Sequence, residues 1–326
     1  MTLRKILALS FFLLFSLTAF AQSKSRHFVF DYSFTVRNTD PGKPLQIWFP
    51  VPQTDDFQKI TILSKSGDLP LEETREREYG NRMFYAHTDK ADKAEYHFSV
   101  TYDVVRYEHL AALAAHGSVS QKELKRFLLA DKLVPITGRP AEIAAQQLRP
   151  GMSELEKGRA LYDYTFANMR YDKTGTGWGH GDTLWACDSK RGNCTDFHSL
   201  FISMARSQQI PAKFEIGFSL PEGQSSADVA GYHCWSEFYT RDRGWFPVDI
   251  SEAWKHQEKK DYFFGAHDVN RIQFTMGRDL ELAPKQHEER LNYFVFPYVE
   301  LDRKAYPNVD NAFSFSDVAE NKQALR

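Results

Sequence analysis

Arg191-Gly192-Asn193-Cys194-Thr195-Asp196-Phe197-His198-Ser199-Leu200, or RGNCTDFHSL, joins a glycine-rich stretch to a segment with helical periodicity. Phe197, Leu200, Phe201 and Met204 recur at helical spacing and form one apolar stripe, and Ile210-Pro211 ends the segment. Cys194 therefore opens a helix. A cysteine at such a junction is either a small core residue or a nucleophile. The thiolate is the reactive form of a group whose free pKa is roughly 8.5, and a helix N-terminus or a neighbouring imidazolium lowers that value. Asp196 fits the first turn, where the helix dipole favours an acid.

A thiol nucleophile also needs an imidazole, and the imidazole needs a group that fixes its tautomer and orientation. Downstream, the period changes to two. Phe214, Ile216 and Phe218 mark one strand, Tyr232–Tyr239 a second, and Trp245–Ile250 a third. Thr240-Arg241-Asp242-Arg243-Gly244 is the hairpin turn between the last two. His233 lies in Gly231-Tyr232-His233-Cys234-Trp235-Ser236-Glu237, and Asp249 closes Gly244-Trp245-Phe246-Pro247-Val248-Asp249. The hairpin sets these two nearly opposite each other, with a one-residue bulge making up the difference. Cross-strand neighbours have Cβ atoms about 5 Å apart, which suits an aspartate-to-imidazole hydrogen bond. The candidate catalytic residues are thus Cys194, His233 and Asp249. Glu237 is expected to tie the sheet to a basic neighbour, and Trp235 to pack beside the site.

The order of cysteine on a helix, histidine on a strand and aspartate on the next strand resembles the transglutaminase-like superfamily. Three motifs carry the resemblance. Gly192-Asn193-Cys194-Thr195-Asp196-Phe197, with Gln209-Ile210-Pro211-Ala212 closing its helix, is similar to the family's Gly-x-Cys-x-Asp segment. His233-Cys234-Trp235-Ser236-Glu237 is similar to His-x-Trp-x-Glu, and Gly244 to Asp249 is the third motif. The match spans roughly residues 150–252. Phe263 to Arg271 and Gly277-Arg278-Asp279 resemble the tails of secreted bacterial members. The resemblance implies a papain-like core in which Cys194 is the nucleophile, His233 the general base and acid, and Asp249 the orienting group. The Cys194 backbone N–H would supply one oxyanion donor, with Tyr171, Trp178 and Trp185 as candidates for the second. It implies attack on a carboxamide and an acyl-enzyme thioester. Water then gives hydrolysis, and a primary amine gives transamidation. The expected partner is a protein or peptide substrate, a cell-wall peptide among the options.

The remainder of the chain sets the organisation. Phe28, Phe30, Tyr32, Phe34 and Val36 fall on one face with His27, Asp31, Ser33, Thr35 and Arg37 on the other; Leu45, Ile47, Phe49 and Val51 recur at the same period, ended by Pro50 and Pro52, and Tyr96 to Val104 repeats the pattern. These strands predict an antiparallel β-sandwich over residues 25–107. A helical connector follows over 108–150, and Ser153-Glu154-Leu155-Glu156 is a capping box for a helix running to about Met169. Tyr171 to Asn193 reads as a long glycine-rich loop. The catalytic core is expected over 151–252, and a C-terminal extension over 253–326 packs on it, with a strand at Leu291–Val299 and a polar end from about Ser314. The fold class is α+β: an N-terminal antiparallel sandwich followed by a papain-like core of helices on an antiparallel sheet.

The chain opens with Arg4 and Lys5, an apolar run from Ile6 to Phe20, and Ala19-Phe20-Ala21. Residues 1–21 thus read as a signal peptide, placing the mature protein in the periplasm or outside the cell, with no further segment long enough to span a membrane. The formal net charge is −2, and loss of the leader's two cations makes it more negative. Acidic and basic residues are interspersed, which argues against nucleic-acid binding. The three cysteines, Cys187, Cys194 and Cys234, leave two arrangements open: a Cys187–Cys234 disulfide with Cys194 reduced, or buried thiols. No cofactor is called for. His180, Cys187 and His198 lack the spacing of a zinc site, and no EF-hand-type loop is present. Three function classes follow: a secreted thiol hydrolase or peptidase, which the resemblance to microbial members favours; a protein-crosslinking transglutaminase; and a binding module with a vestigial site.

Overall fold

Alternation of large apolar residues builds the amino-terminal region. A computed structural model describes residues 24–111 and 119–319. The signal-peptide reading lies outside the described residues. No described helix is long and apolar enough to cross a membrane. Strands β1 (Ser25–Arg37), β2 (Leu45–Val51), β3 (Gln58–Gly67), β4 (Glu72–Arg75), β5 (Arg82–Thr88) and β6 (Glu95–Tyr107) come first, and the short β7 (His109–Leu110) follows. On β1, Phe28, Phe30, Tyr32, Phe34 and Val36 are all buried, as the period-two pattern requires. On β2 both faces are buried. Ile47 and Phe49 enter the main core, while Trp48 enters a second cluster with Met83, Tyr85, Leu280 and Phe294.

The connector contributes helices α1 (Gln121–Arg126) and α2 (Arg139–Gln147). Helix α3 (Glu154–Asn168) begins at the expected capping box, with the Ser153 side chain accepting from the Glu156 N–H. Tiny strand β8 (Arg170–Tyr171) leads into the glycine-rich stretch. That stretch is not a structureless loop throughout. It holds helix α4 (Thr183–Ser189), because the Asp182 carboxylate caps the Leu184 and Trp185 N–H groups. After β9 (Arg191–Gly192) comes α5 (Cys194–Ser207), whose residues Cys194 through Arg206 are all buried. An amphipathic helix was expected. α5 is instead the central helix, with neighbours on its polar side as well.

The core sheet is antiparallel. Its strands are β10 (Ala212–Ser219), β12 (Tyr232–Thr240), β13 (Gly244–Val248) and β15 (Arg271–Met276), in the order β13-β12-β10-β15. Strand β11 (Ser226–Asp228) lies between β10 and β12 in sequence, helix α6 (Ile250–Lys255) follows β13, and β14 (Ala266–His267) pairs with β7. Phe218 and Phe274 of the core sheet pack on Phe30 and Tyr32, at centroid separations of 5.3 and 5.4 Å respectively. One apolar core thus runs through sandwich and core sheet.

The tail departs from expectation. Its strands β16 (Tyr298–Leu301), β17 (Lys304–Ala305) and β18 (Val309–Asp317) do not merely pack on the core. They enter the sandwich, whose two sheets run β11-β18-β1-β6-β3 and β17-β16-β2-β5-β4. Residues Ser314 to Asp317, expected as a polar end, pair with Phe28 to Asp31 of β1. Leu291–Val299 is strand only from Tyr298. Pro297 cannot donate to a ladder, and the β16 pairing with β2 begins only at Tyr298↔Trp48.

Candidate active site

Helix α5 starts where it does because Asn193 caps it. The Asn193 side chain accepts from the Thr195 N–H, and Asp196 reaches back to the Asn193 N–H at 2.9 Å. Gly192 sits at φ +147°, and a Cβ there would come within 2.2 Å of Asp196 Oδ2, so only glycine lets the acid fold back. Asp196 also accepts from the Gly179 and Gly181 N–H groups, at 2.7 and 2.9 Å. It fastens the glycine-rich stretch to the helix start, a role the first-turn reading missed. Arg278 grips the same stretch from the tail. It donates to the Gly181 and His180 carbonyls at 2.9 and 2.8 Å, and to the Ser199 hydroxyl.

Cys194, His233 and Asp249 meet in one buried cluster, with relative exposures of 1%, 2% and 0%. His233 Nε2 lies 2.7 Å from Asp249 Oδ2, which leaves Nδ1 for the thiol. Asp249 is not on a strand. The β12–β13 pairing starts at Ser236↔Val248, and β13 ends at Val248. Asp249 is instead the N-cap of α6, its Oδ1 accepting from the Glu252 N–H at 3.1 Å. A cap residue is held by the helix it starts, so the carboxylate is fixed independently of the hairpin register.

Sequence reasoning did not assign three further groups to the site. Arg271 donates to Asp249 Oδ2 at 3.0 Å and to Asp268 at 3.2 Å, and lies over the Trp235 ring. His198 is a neutral spacer. Its Nδ1 bonds the Cys194 carbonyl at 2.8 Å, and its Nε2 accepts from the Ile250 N–H at 3.1 Å, tying α5 to α6. Burial lowers its pKa, so it stays uncharged. Cys234, adjacent to His233, places its Sγ 3.8 Å from Thr195 Oγ1 and beside the Cys194 thiol. Its spacing on β12 marked it only as another cysteine.

The electrostatics favour an ion pair. Burial alone would raise the Cys194 pKa, but hydrogen bonds from Cys234 and His233 and the charge of His233 bring it well below the usual range. Burial opposes the His233 charge, and Asp249 outweighs it, so the imidazole is pushed up to about 10. Asp249 is held well below the carboxylate range, against burial, by His233 and Arg271. Cys234 goes the other way. Burial and the neighbouring Cys194 raise it, so it remains a protonated donor.

All three cysteines are free, so no Cys187–Cys234 disulfide forms. Of the second oxyanion candidates, Trp178 spends its indole N–H on the Gly175 carbonyl at 3.1 Å, and Trp185 backs Gly177. The Tyr171 phenol feels the Cys194 charge, though burial contributes more to its raised pKa. Glu237 binds Lys213 Nζ at 2.5 Å, the basic partner expected of it. A cleft of about 330 Å³ opens beside His233, lined also by Glu252, Lys255 and Arg271.

Residues 141–250 match the family model of the transglutaminase-like superfamily. The chain is 25% identical to an uncharacterized protein of Haemophilus influenzae, over 83% of this chain and 84% of that one. Its fold is similar to that of a candidate cysteine protease from Cytophaga hutchinsonii, with a TM-score of 0.57, 14% identity, and coverage of 91% of this chain and 99% of that chain. The periplasmic domain of TgpA from Pseudomonas aeruginosa aligns over 73% of this chain and 93% of its own, at 15% identity and a TM-score of 0.37.

Proposed function

We propose, for a chain whose residues 141–250 are a transglutaminase-like core, that it is a thiol hydrolase acting on amide bonds of proteins or peptides, outside the cytoplasm. The observation that carries this is the buried, charge-coupled Cys194–His233–Asp249 cluster at the start of α5. The Cys194 thiolate attacks the amide carbonyl carbon, and the carbonyl oxygen becomes an oxyanion. Asn193 caps the Thr195 N–H, leaving the Cys194 N–H to receive that oxyanion. The carbonyl re-forms as the C–N bond breaks, and His233 passes its proton to the departing nitrogen. A thioester remains. Water, losing a proton to His233, attacks it and releases the acid, and the proton returns the site to its starting state. Asp249 holds the imidazolium oriented throughout, without being protonated itself.

The test is the pH dependence of Cys194 alkylation in purified protein, mapped to the residue, in wild type and in His233→Ala. In the wild type the rate should reach its plateau below pH ~8, short of the free-thiol midpoint near ~8.5. In the variant the midpoint should move up into or beyond that range. The midpoint, unlike the absolute rate, does not depend on how often the buried thiol opens to reagent. An ordinary thiol midpoint in both proteins would overturn the reading. A second assay then follows glutamine-containing peptides with and without a primary amine. Ammonia or cleavage products without amine incorporation are expected, and incorporation would make the chain a crosslinking enzyme.

A further inference from the structure

A second buried cluster gathers around Glu237, farther along the strand that carries His233. His109 of β7, Glu237 of β12 and His267 of β14 each offer a ligand atom, and these atoms lie within 4.8 Å of one another. They come from three distant parts of the chain. β7 and β14 pair with each other, His109 directly opposite His267. All three residues are buried, with exposures of 2%, 4% and 0%. They line a cavity of about 270 Å³.

The hydrogen-bond inventory is unfinished there. His267 Nε2 donates to the Val248 carbonyl at 3.2 Å, which makes its Nδ1 the bare lone pair, and that buried atom has no partner among the described residues. His109 Nδ1 lies 3.2 Å from Glu237 Oε1, and its Nε2 is likewise buried and without a partner among the described residues. Leaving a buried polar atom unsatisfied is destabilising, so two orphans on facing imidazoles need an explanation. Lys213 occupies only Glu237 Oε2, leaving Oε1 facing His109. Asp55, Glu215, Arg106 and Lys213 line the same cavity.

We propose that His109, Glu237 and His267 form a binding site for one divalent transition-metal ion of the zinc class. Two imidazoles and a carboxylate are a donor set that borderline divalent metals take, with the fourth position open toward the cavity. The His267 bond to the Val248 carbonyl is the outer contact that fixes the tautomer and aim of a ligating histidine. The ion pins β7, and with it the end of the connector, to the tail and to β12. It also sits close to the triad framework. His267 packs on Trp235 at 5.9 Å, Trp235 on His233 at 5.7 Å, and Val248 precedes Asp249.

Purified full-length mature protein is stripped with a chelator, then titrated with Zn²⁺ by calorimetry and with Co²⁺ by visible absorption. One equivalent should bind, with the intense visible bands of a four- or five-coordinate cobalt site. His109→Ala and His267→Gln should weaken binding by more than the roughly 10–100-fold that loss of an outer contact costs. Cys194→Ala should leave it unchanged. X-ray absorption of the zinc-loaded wild type keeps the test independent of how the variants fold, and should show nitrogen and oxygen neighbours with imidazole scattering. Absence of stoichiometric binding, sulfur in the first shell, or binding that survives both histidine changes and is lost with Cys194 would each overturn the proposal.

Discussion

At the scale of the residue, the site is a set of charge states arranged by neighbours. Cys194 and His233 can be charged together only because Asp249 pays for the imidazolium and Cys234 donates to the thiolate. The ion pair is populated above the lowered Cys194 pKa and below the His233 pKa of about 10. Activity should therefore rise through the Cys194 value and fall near pH 10. Cys234→Ala removes a donor to the thiolate without touching His233 or Asp249. Its acid limb should move up in pH by about one unit, which is 1.36 kcal/mol of lost thiolate stabilisation, while the alkaline limb stays in place. Cys234→Ser retains a donor and should recover most of the shift. A pH–rate profile with a small amide substrate, alongside alkylation, reads both limbs; an unmoved acid limb in Cys234→Ala would show that the second thiol is packing only. Cys194, His233 and Asp249 could be singled out in the sequence as candidates because nucleophilic chemistry restricts which residue types can serve, and the structure brings their side chains together. Cys234 and Arg271 could not be singled out, because their role depends on which way a side chain leaves a strand.

At the scale of the element, helix starts hold the site. Asn193 caps α5, Asp249 caps α6 and Asp182 caps α4. Asp196 does more than complete a capping box, since its two oxygens gather the Asn193, Gly179 and Gly181 N–H groups. Asp196→Ala leaves those donors buried without an acceptor, at about 1–3 kcal/mol each. Urea unfolding should therefore show a loss of several kcal/mol. Hydrogen exchange should accelerate at Gly179 and Gly181 in particular. Asp196→Asn keeps an acceptor and should lose less. A change confined to global stability, with exchange at those glycines unaltered, would deny the acid its anchoring role. Periodicity announced α5, β1 and β6, since each has enough turns or alternations to average out noise, and the Ser153–Glu156 capping box announced α3. It did not announce α4, which is seven residues long and rests on one aspartate cap. The assignment of Asp249 to a strand failed for a related reason. Strand ends and helix caps share residue types, and only the register, which stops at Val248, separates them.

At the scale of the molecule, the chain closes on itself. Strand β18 lies between β1 and β11, and its pairing with β1 runs from Phe28↔Asp317 to Val36↔Val309. The sequence hid this because only Phe313 and Phe315 of the strand's middle turn inward, while Asp310, Asn311 and Ala312 are exposed. Two inward residues are too few to mark a strand amid polar neighbours, although the partner β1 was plain. Those two phenylalanines are nonetheless core. Phe313 lies 4.7 Å from Tyr32 and 4.6 Å from Phe218, and so bridges the sandwich and the core sheet. Phe315 packs edge-on against Phe28 and beneath Arg26. Phe313→Ala should cost about 3–5 kcal/mol, the range for emptying a buried aromatic site. Because the residue touches both sheets, transglutaminase-like core and sandwich should unfold in one transition that moves as a unit. A chain ending after Tyr306 should fare worse, since it unpairs the long β1 ladder and exposes an apolar edge that invites association between copies. Calorimetry of Phe313→Ala with a near-ultraviolet signal from the core tryptophans distinguishes the cases. Coincident shifts in both signals fit one cooperative body, whereas a sandwich that melts early while the Trp235 environment persists would mean that the tail completes a separate domain.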